Sequence, residues 1–111
     1  MDLVQHLYRQ RAWSRATFGP KQRKGGVIDH IRKELKEIEA EHSAHGELEE
    51  WVDVILLALD GALRTGCDPE MVCEAILRKQ DKNEEREWPD WRTQSPDHAI
   101  EHVKALEARD G

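Results

Sequence analysis

The sequence predicts an all-α protein of about five helices, a bundle completed by association of copies of the chain. Three observations predict it. β-branched and aromatic residues are sparse and nowhere alternate, so no strand pattern exists. Apolar residues recur instead at spacings of three and four, the stripe of an amphipathic helix. Hydrophobic residues make up 38% and charged residues 36% of only 111 positions, so one chain alone has little to bury.

The elements follow in order. A first helix is expected from about Leu3 to Arg15, with Leu3, Val4, Leu7 and Tyr8 on one side. Thr17-Phe18-Gly19-Pro20 breaks it, and Lys21 to Gly26 reads as a basic, glycine-rich loop. A second helix, Val27 to His42, carries the stripe Ile28, Ile31, Leu35 and Ile38. A polar break at Ser43 to Gly46 leads to a third helix, Glu47 to Thr65, stopped by Gly66. Its middle, Val54 to Leu59, is apolar on every side, which places it at the centre of a bundle or in a subunit interface. Asp68-Pro69-Glu70 combines a capping acid, Pro at the first helical position and an acid in the first turn. The fourth helix runs to about Arg86 and buries Val72, Ala75 and Ile76. Trp88-Pro89-Asp90-Trp91 ends it, and a last helix is expected from Ser95 to Ala108 with Ile100, Val103 and Leu106 inward.

A chain of this length fits one domain, residues 1–111. The formal charge of −6 argues against a nucleic-acid polymer as partner, since such binders carry a basic face. A small polyanion stays compatible, because bound cations reverse the local field. Cys67 and Cys73 form neither a zinc spacing nor a C-x-x-C pair. With no apolar leader at Met1 to Gln10 and no window of membrane-span length, the expectation is a cytoplasmic protein that does not enter a membrane.

The chemistry lies in four acids. Glu34 and Glu37 are three apart on the second helix, and Glu50 and Asp53 are three apart on the third. Residues at i and i+3 share a face, and the short link makes the two helices an antiparallel hairpin. A fold near residues 44 and 45 sets position 37 level with 52 or 53, bringing the two pairs to one height. Four carboxylates there repel each other unless cations sit between them. Oxygen-only ligation suits Mg²⁺, or Mn²⁺, better than zinc. The plainer readings are a solvated face for Glu34 and Glu37 and a helix-dipole role for Glu50. Asp53, inside the helix beside Val54 and Ile55, fits the dipole role poorly. Asp60, two turns further on, reads as structural or as a support behind the metal ligands.

K-E-L-K-E (Lys33 to Glu37) followed by E-E-W-V-D (Glu49 to Asp53) resembles the E-x-x-E … E-x-x-D signature of the MazG-like all-α NTP pyrophosphatases. Trp13 to Pro20, Gly26 to Leu35, Glu49 to Gly61 and Lys82 to Arg92 are similar to the dATP/dGTP pyrophosphohydrolase branch of phages and bacteria, MazZ-type enzymes included. The resemblance covers nearly the whole chain. It implies cleavage of a purine (deoxy)nucleoside triphosphate, dGTP or dATP, between the α and β phosphates to a monophosphate and pyrophosphate. It maps Glu34, Glu37, Glu50 and Asp53 onto catalytic metal ligands, with one of them, such as Glu37, also orienting or deprotonating the water. It carries phosphate or sugar contacts to Lys79 and Asn83 and, more weakly, to Lys82 and Arg86, against the plainer reading of a solvated basic helix end. It implies a homodimer or homotetramer with sites near the interface.

Arg23, with Gly25 and Gly26, offers cationic and backbone N–H groups to an anion, or forms a plain turn. Among the few aromatics, Trp13, Phe18, Trp88 and Trp91 are flat enough to stack on a purine, though packing is the commoner fate of Trp. Two patterns are rejected. His98-x-x-Glu101-His102 matches an inverted zinc-protease motif, but only nine residues follow to supply another ligand. Glu39-x-x-His42 is one di-iron half-motif where two are required. The rival functions are a non-catalytic helical interaction module and a different carboxylate-bridged metalloenzyme.

Overall fold

The computed structural model describes residues 2–104, and in it four α-helices form and no strand does among those residues. They are α1 (Leu3–Phe18), α2 (Lys24–Ala40), α3 (Ala44–Leu63) and α4 (Pro69–Glu85), followed by a single 3₁₀ turn, Trp91–Thr93. The chain divides after Glu74 into two compact units, and α4 runs across the division.

In the first unit α2 and α3 form the hairpin, with α1 against α3. Ser43 caps α3, its Oγ accepting from Gly46 N at 3.1 Å. The linker is therefore only 41–43, shorter than the expected break at Ser43 to Gly46. Val27 on α2 faces Gly61 on α3, where an added Cβ would lie 3.6 Å from Val27 Cγ1. Counting inward from that contact brings Glu34 level with position 54, beside Asp53, and Glu37 level with position 51, beside Glu50, one or two residues from the expected register. The inward face of α2 is centred on Val27, Ile31, Glu34 and Ile38. Ile28 and Leu35, expected inside, are 38% and 40% exposed, so a carboxylate occupies the seam where Leu35 was expected.

Leu7, Leu63 and Val72 are the centre of a small core, with Leu3, Leu59, Ala62, Cys67 and Cys73 packed around it. Of the expected inward residues of α4, Val72 is buried, whereas Ala75 and Ile76 are exposed. None of Val54 to Leu59 is buried in the single chain. Gly66 ends the α3 segment at φ 99°, a backbone region that favours glycine. Asp68 caps α4, its Oδ1 accepting from Met71 N at 2.9 Å.

Two expectations are corrected. Gly25 and Gly26 lie in the first turn of α2 and not in a loop, because Arg23 O already accepts from Val27 N at 2.9 Å. The last helix does not form over 95–104. Ser95 Oγ accepts from Asp97 N at 3.1 Å, making a local turn where a helix cap was expected. Val103 N donates to Glu87 O at 2.8 Å, so it is not available for a bond four residues back. Leu106 and Ala108 lie outside the described residues. In the second unit Trp88 Nε1 donates to Asn83 O at 2.7 Å, and the Trp88 ring meets His102 edge-on at 5.8 Å. With 98–102 non-helical, the spacing of the rejected zinc motif loses its geometric basis as well.

Candidate metal centre

Glu34, Glu50 and Asp53 each present a carboxylate oxygen within 4.8 Å of the others. The hairpin register produces this, because α2 supplies Glu34 from its inward face and α3 supplies two acids one turn apart. Burial is graded: Glu34 is buried, Glu50 half-buried and Asp53 exposed. Glu37 is exposed, yet it reaches the Glu50 carboxyl. All four predicted acids therefore belong to one constellation.

Its electrostatics are those of an uncompensated anionic cluster. Sharing a proton with Glu34, then with Glu37, pushes the Glu50 carboxyl up from 4.5 to about 7, with partial burial adding to the rise. Glu34 Oε2 and Glu50 Oε2 are buried and have no hydrogen-bond donor among the described residues. Such oxygens are normally satisfied. A divalent cation satisfies both at once, since oxygens on opposite sides of one ion lie roughly 4–5 Å apart. The donor set is all carboxylate, which fits Mg²⁺ or Mn²⁺.

The raised carboxyl has a measurable consequence for the metal-free protein. The folded state holds the Glu50 proton more tightly than the unfolded chain does. Its contribution is complete below pH 4.5 and lost as pH rises through about 7. In chelator, the thermal midpoint is expected to fall across that window, and Glu50→Gln to flatten the fall. An unchanged slope in the variant would show that the acids do not share a proton.

A cavity of about 300 Å³ opens beside the cluster, lined by Glu34, Asp53, His30 and Asp60 among polar groups and by Trp13, Phe18, Leu56 and Leu57 among apolar ones. Trp13 and Phe18 meet edge-on at 5.5 Å. The Arg23 guanidinium lies 5.4 Å from the centre of the Phe18 ring, and its Nη2 passes over Gly26, where a Cβ would lie only 2.8 Å away. Three residues singled out from the sequence thus form one aromatic and cationic edge. Lys79, Lys82, Asn83 and Arg86 belong to the second unit. There Arg86 Nη1 donates to Asn83 Oδ1 at 3.1 Å, and Lys79 and Lys82 are exposed.

Sequence reasoning missed four residues of the site. His30 Nε2 lies 3.6 Å from Glu34 Oε1, an i, i+4 pair. Gln10 ties α1 to α3, donating from Nε2 to Leu56 O at 2.6 Å. Ser14 and Arg64 surround Asp60: Ser14 Oγ donates to Asp60 Oδ1 at 2.7 Å, and Arg64 Nε donates to Asp60 Oδ2 at 2.9 Å. The i, i+4 spacings of His30 with Glu34 and of Asp60 with Arg64 were visible signals. The α1 contacts were not.

The family described as dATP/dGTP pyrophosphohydrolase matches residues 7–106. The chain belongs to that family. A curated relative, the dATP/dGTP diphosphohydrolase of Cyanophage S-2L, is 42% identical over 69 residues, which is 62% of this chain and 62% of the relative. The match thus spans under two thirds of that relative's length. Among solved structures, the Cyanophage S-2L MazG-like pyrophosphohydrolase bound to dGDP and three catalytic Mn²⁺ ions per active site is similar with a TM-score of 0.69. That likeness is at 29% identity and covers 93% of this chain and 98% of that one.

Proposed function

We propose that this chain is a divalent-metal-dependent pyrophosphohydrolase of purine deoxynucleoside triphosphates, cutting dGTP or dATP between the α and β phosphates to the monophosphate and pyrophosphate. One observation carries the reading: Glu34, Glu50 and Asp53 converge, with two buried oxygens left without donors among the described residues. The relatives named above, with their substrates and metal ions, support it.

Glu34, Glu50 and Asp53 would hold the cation, Mg²⁺ or Mn²⁺. Bound there, it supplies Lewis acidity and neutralises phosphate charge. Glu37, against Glu50 and exposed to solvent, would orient a water or accept its proton. Trp13 and Phe18 give the cavity an apolar wall for the nucleoside. Lys79, Asn83, Lys82 and Arg86 are retained as phosphate or sugar contacts, and Arg23 as an anion contact, on the sequence pattern. The family match runs from 7 to 106, which supports one functional domain. Cys67 and Cys73 are free thiols, in keeping with a cytoplasmic setting. No helix among the described residues is long and apolar enough to cross a membrane.

A homodimer or homotetramer is part of the same reading. Leu48, Trp51, Val52 and Ile55 form one stripe on α3 and are 59%, 47%, 40% and 54% exposed. That is a large apolar surface for a protein with so small a core. Ile55→Glu is expected to shift the chain to monomer in sedimentation at micromolar concentration, and an unchanged mass would remove α3 from the interface.

The deciding test is pyrophosphate release from a panel of nucleoside triphosphates with Mg²⁺ or Mn²⁺. Release from purine deoxynucleotides is expected, and its loss in chelator. No release from any nucleotide would overturn the proposal.

A further inference from the structure

We infer that Arg9 reads the base of the bound nucleotide, and that it makes this chain favour 6-oxo purines such as guanine over adenine. The inference rests on the proposed function and adds a residue and a preference to it.

His6, Arg9, Gln10 and Trp13 fall at spacings of three and four along α1, so they share one face. That face walls two adjoining cavities. The first, about 300 Å³, contains the carboxylates Glu34 and Asp53. The second, about 350 Å³, is lined by His6, Arg9, Gln10, Trp13 and Leu56. Gln10, Trp13 and Leu56 line both, so the two form one groove. Each is at the small end of ligand pockets, and together they give a nucleotide room. Arg9 lies one helical turn from Trp13, roughly 6 Å along the axis. Phosphates held at Glu34 and Asp53, with the sugar along Trp13 and Leu56, direct the far edge of the base toward Arg9.

The hydrogen-bonding groups of this second cavity are not equivalent. Gln10 is committed. Its Nε2 donates to Leu56 O at 2.6 Å, and a flipped amide would set two oxygens against each other there. Its Oε1 faces His6 Nε2 at 2.9 Å, so that imidazole nitrogen is the donor and is committed too, while His6 Nδ1 is not. Arg9 has no hydrogen bond, ion pair or ring contact among the described residues. It brings a planar fork of N–H donors and no acceptor. Guanine presents two acceptors, O6 and N7, to such a fork, whereas adenine places an amino donor at the 6-position. Arg9, the one guanidinium lining this second cavity, therefore accepts a 6-oxo purine and opposes a 6-amino one.

The test is kcat/KM for four triphosphates: dGTP, dATP, deoxyinosine triphosphate and the 2,6-diaminopurine deoxynucleotide. The unaltered enzyme is expected to favour dGTP and deoxyinosine triphosphate over the two 6-amino substrates by about tenfold or more. Arg9→Gln, whose amide matches adenine, is expected to erase or reverse that ratio while pyrophosphate release from dATP persists. Arg9→Lys is expected to retain part of it. Circular dichroism confirms that the variants fold. An Arg9→Gln enzyme with the original ratio overturns the inference. So does a preference for dGTP over deoxyinosine triphosphate, which would assign recognition to the 2-amino group. If the unaltered protein cleaves none of the four, the proposed function fails first and this inference with it.

Discussion

Asp53→Asn and Glu34→Gln are each expected to lower pyrophosphate release by about 10²–10³-fold or more, the scale on which removal of one charge-stabilising group slows such reactions. Both changes keep the shape of the side chain and remove its charge. Glu34 is the stronger case, because it is buried in the seam of the α2–α3 hairpin with one oxygen lacking a donor. A buried carboxylate in that position has no packing advantage over Leu, so its presence there asks for a cation. The same variants are expected to leave the metal-free protein at least as resistant to heat as before. Glu50 is pushed up first by the hydrogen bonds it shares with Glu34 and Glu37, and each variant thins the crowd of acids around it. Loss of activity without loss of stability, together with loss of the Mn²⁺-induced rise in melting temperature, is the signature of a ligand. Unchanged turnover in Asp53→Asn would refute the metal assignment, and a collapse of the metal-free fold would make Glu34 a structural residue instead.

The four acids were legible because both their spacing and the shortness of the link are written in the sequence. Three apart on each helix and a hairpin between them leave few arrangements. The register was less legible. It depends on whether Ser43 or a later residue caps α3, a choice settled by one hydrogen bond from Gly46. The stripe on α2 was misassigned for a related reason. Reading Ile28 and Leu35 as inward assumes that the seam is apolar, whereas a buried carboxylate interrupts it at Glu34. The expected last helix rested on a real turn signal at Ser95-Pro96-Asp97, but Val103 is bonded to Glu87, a partner that local pattern does not show. Asp60 was legible as a supporting acid by its place on α3. Its partners were not, because Ser14 is 46 residues away.

Arg64→Ala is expected to destabilise the protein by about 3–5 kcal/mol, the usual cost of stripping one partner from a buried ion pair. The Arg64 side chain is 5% exposed and Asp60's is 12% exposed. The guanidinium donates to Asp60 Oδ2, to Ser14 Oγ at 2.9 Å, to Gly19 O at 3.0 Å and to Lys21 O. It thus ties α3 to α1 and to the connection between α1 and α2. In the alanine variant Asp60 keeps the Ser14 hydroxyl but loses its cation, and two loop carbonyls lose their donor. Lysine is a poor substitute, since a point ammonium cannot span three directions as a planar fork does. Small domains have only about 5–15 kcal/mol in hand, so urea unfolding of Arg64→Ala should show a greatly lowered midpoint. The double variant Arg64→Met with Asp60→Leu separates the two sources of the loss. With no charge left unpaired, it should cost much less than the sum of the single changes. A single Arg64→Ala within about 0.5 kcal/mol of the parent, the range of ordinary surface changes, would mean that the pair is solvated in solution. Asp60 and Ser14 also line the cavity beside Glu34 and Asp53. Any variant that survives should therefore bind nucleotide less well even where its four acids are intact.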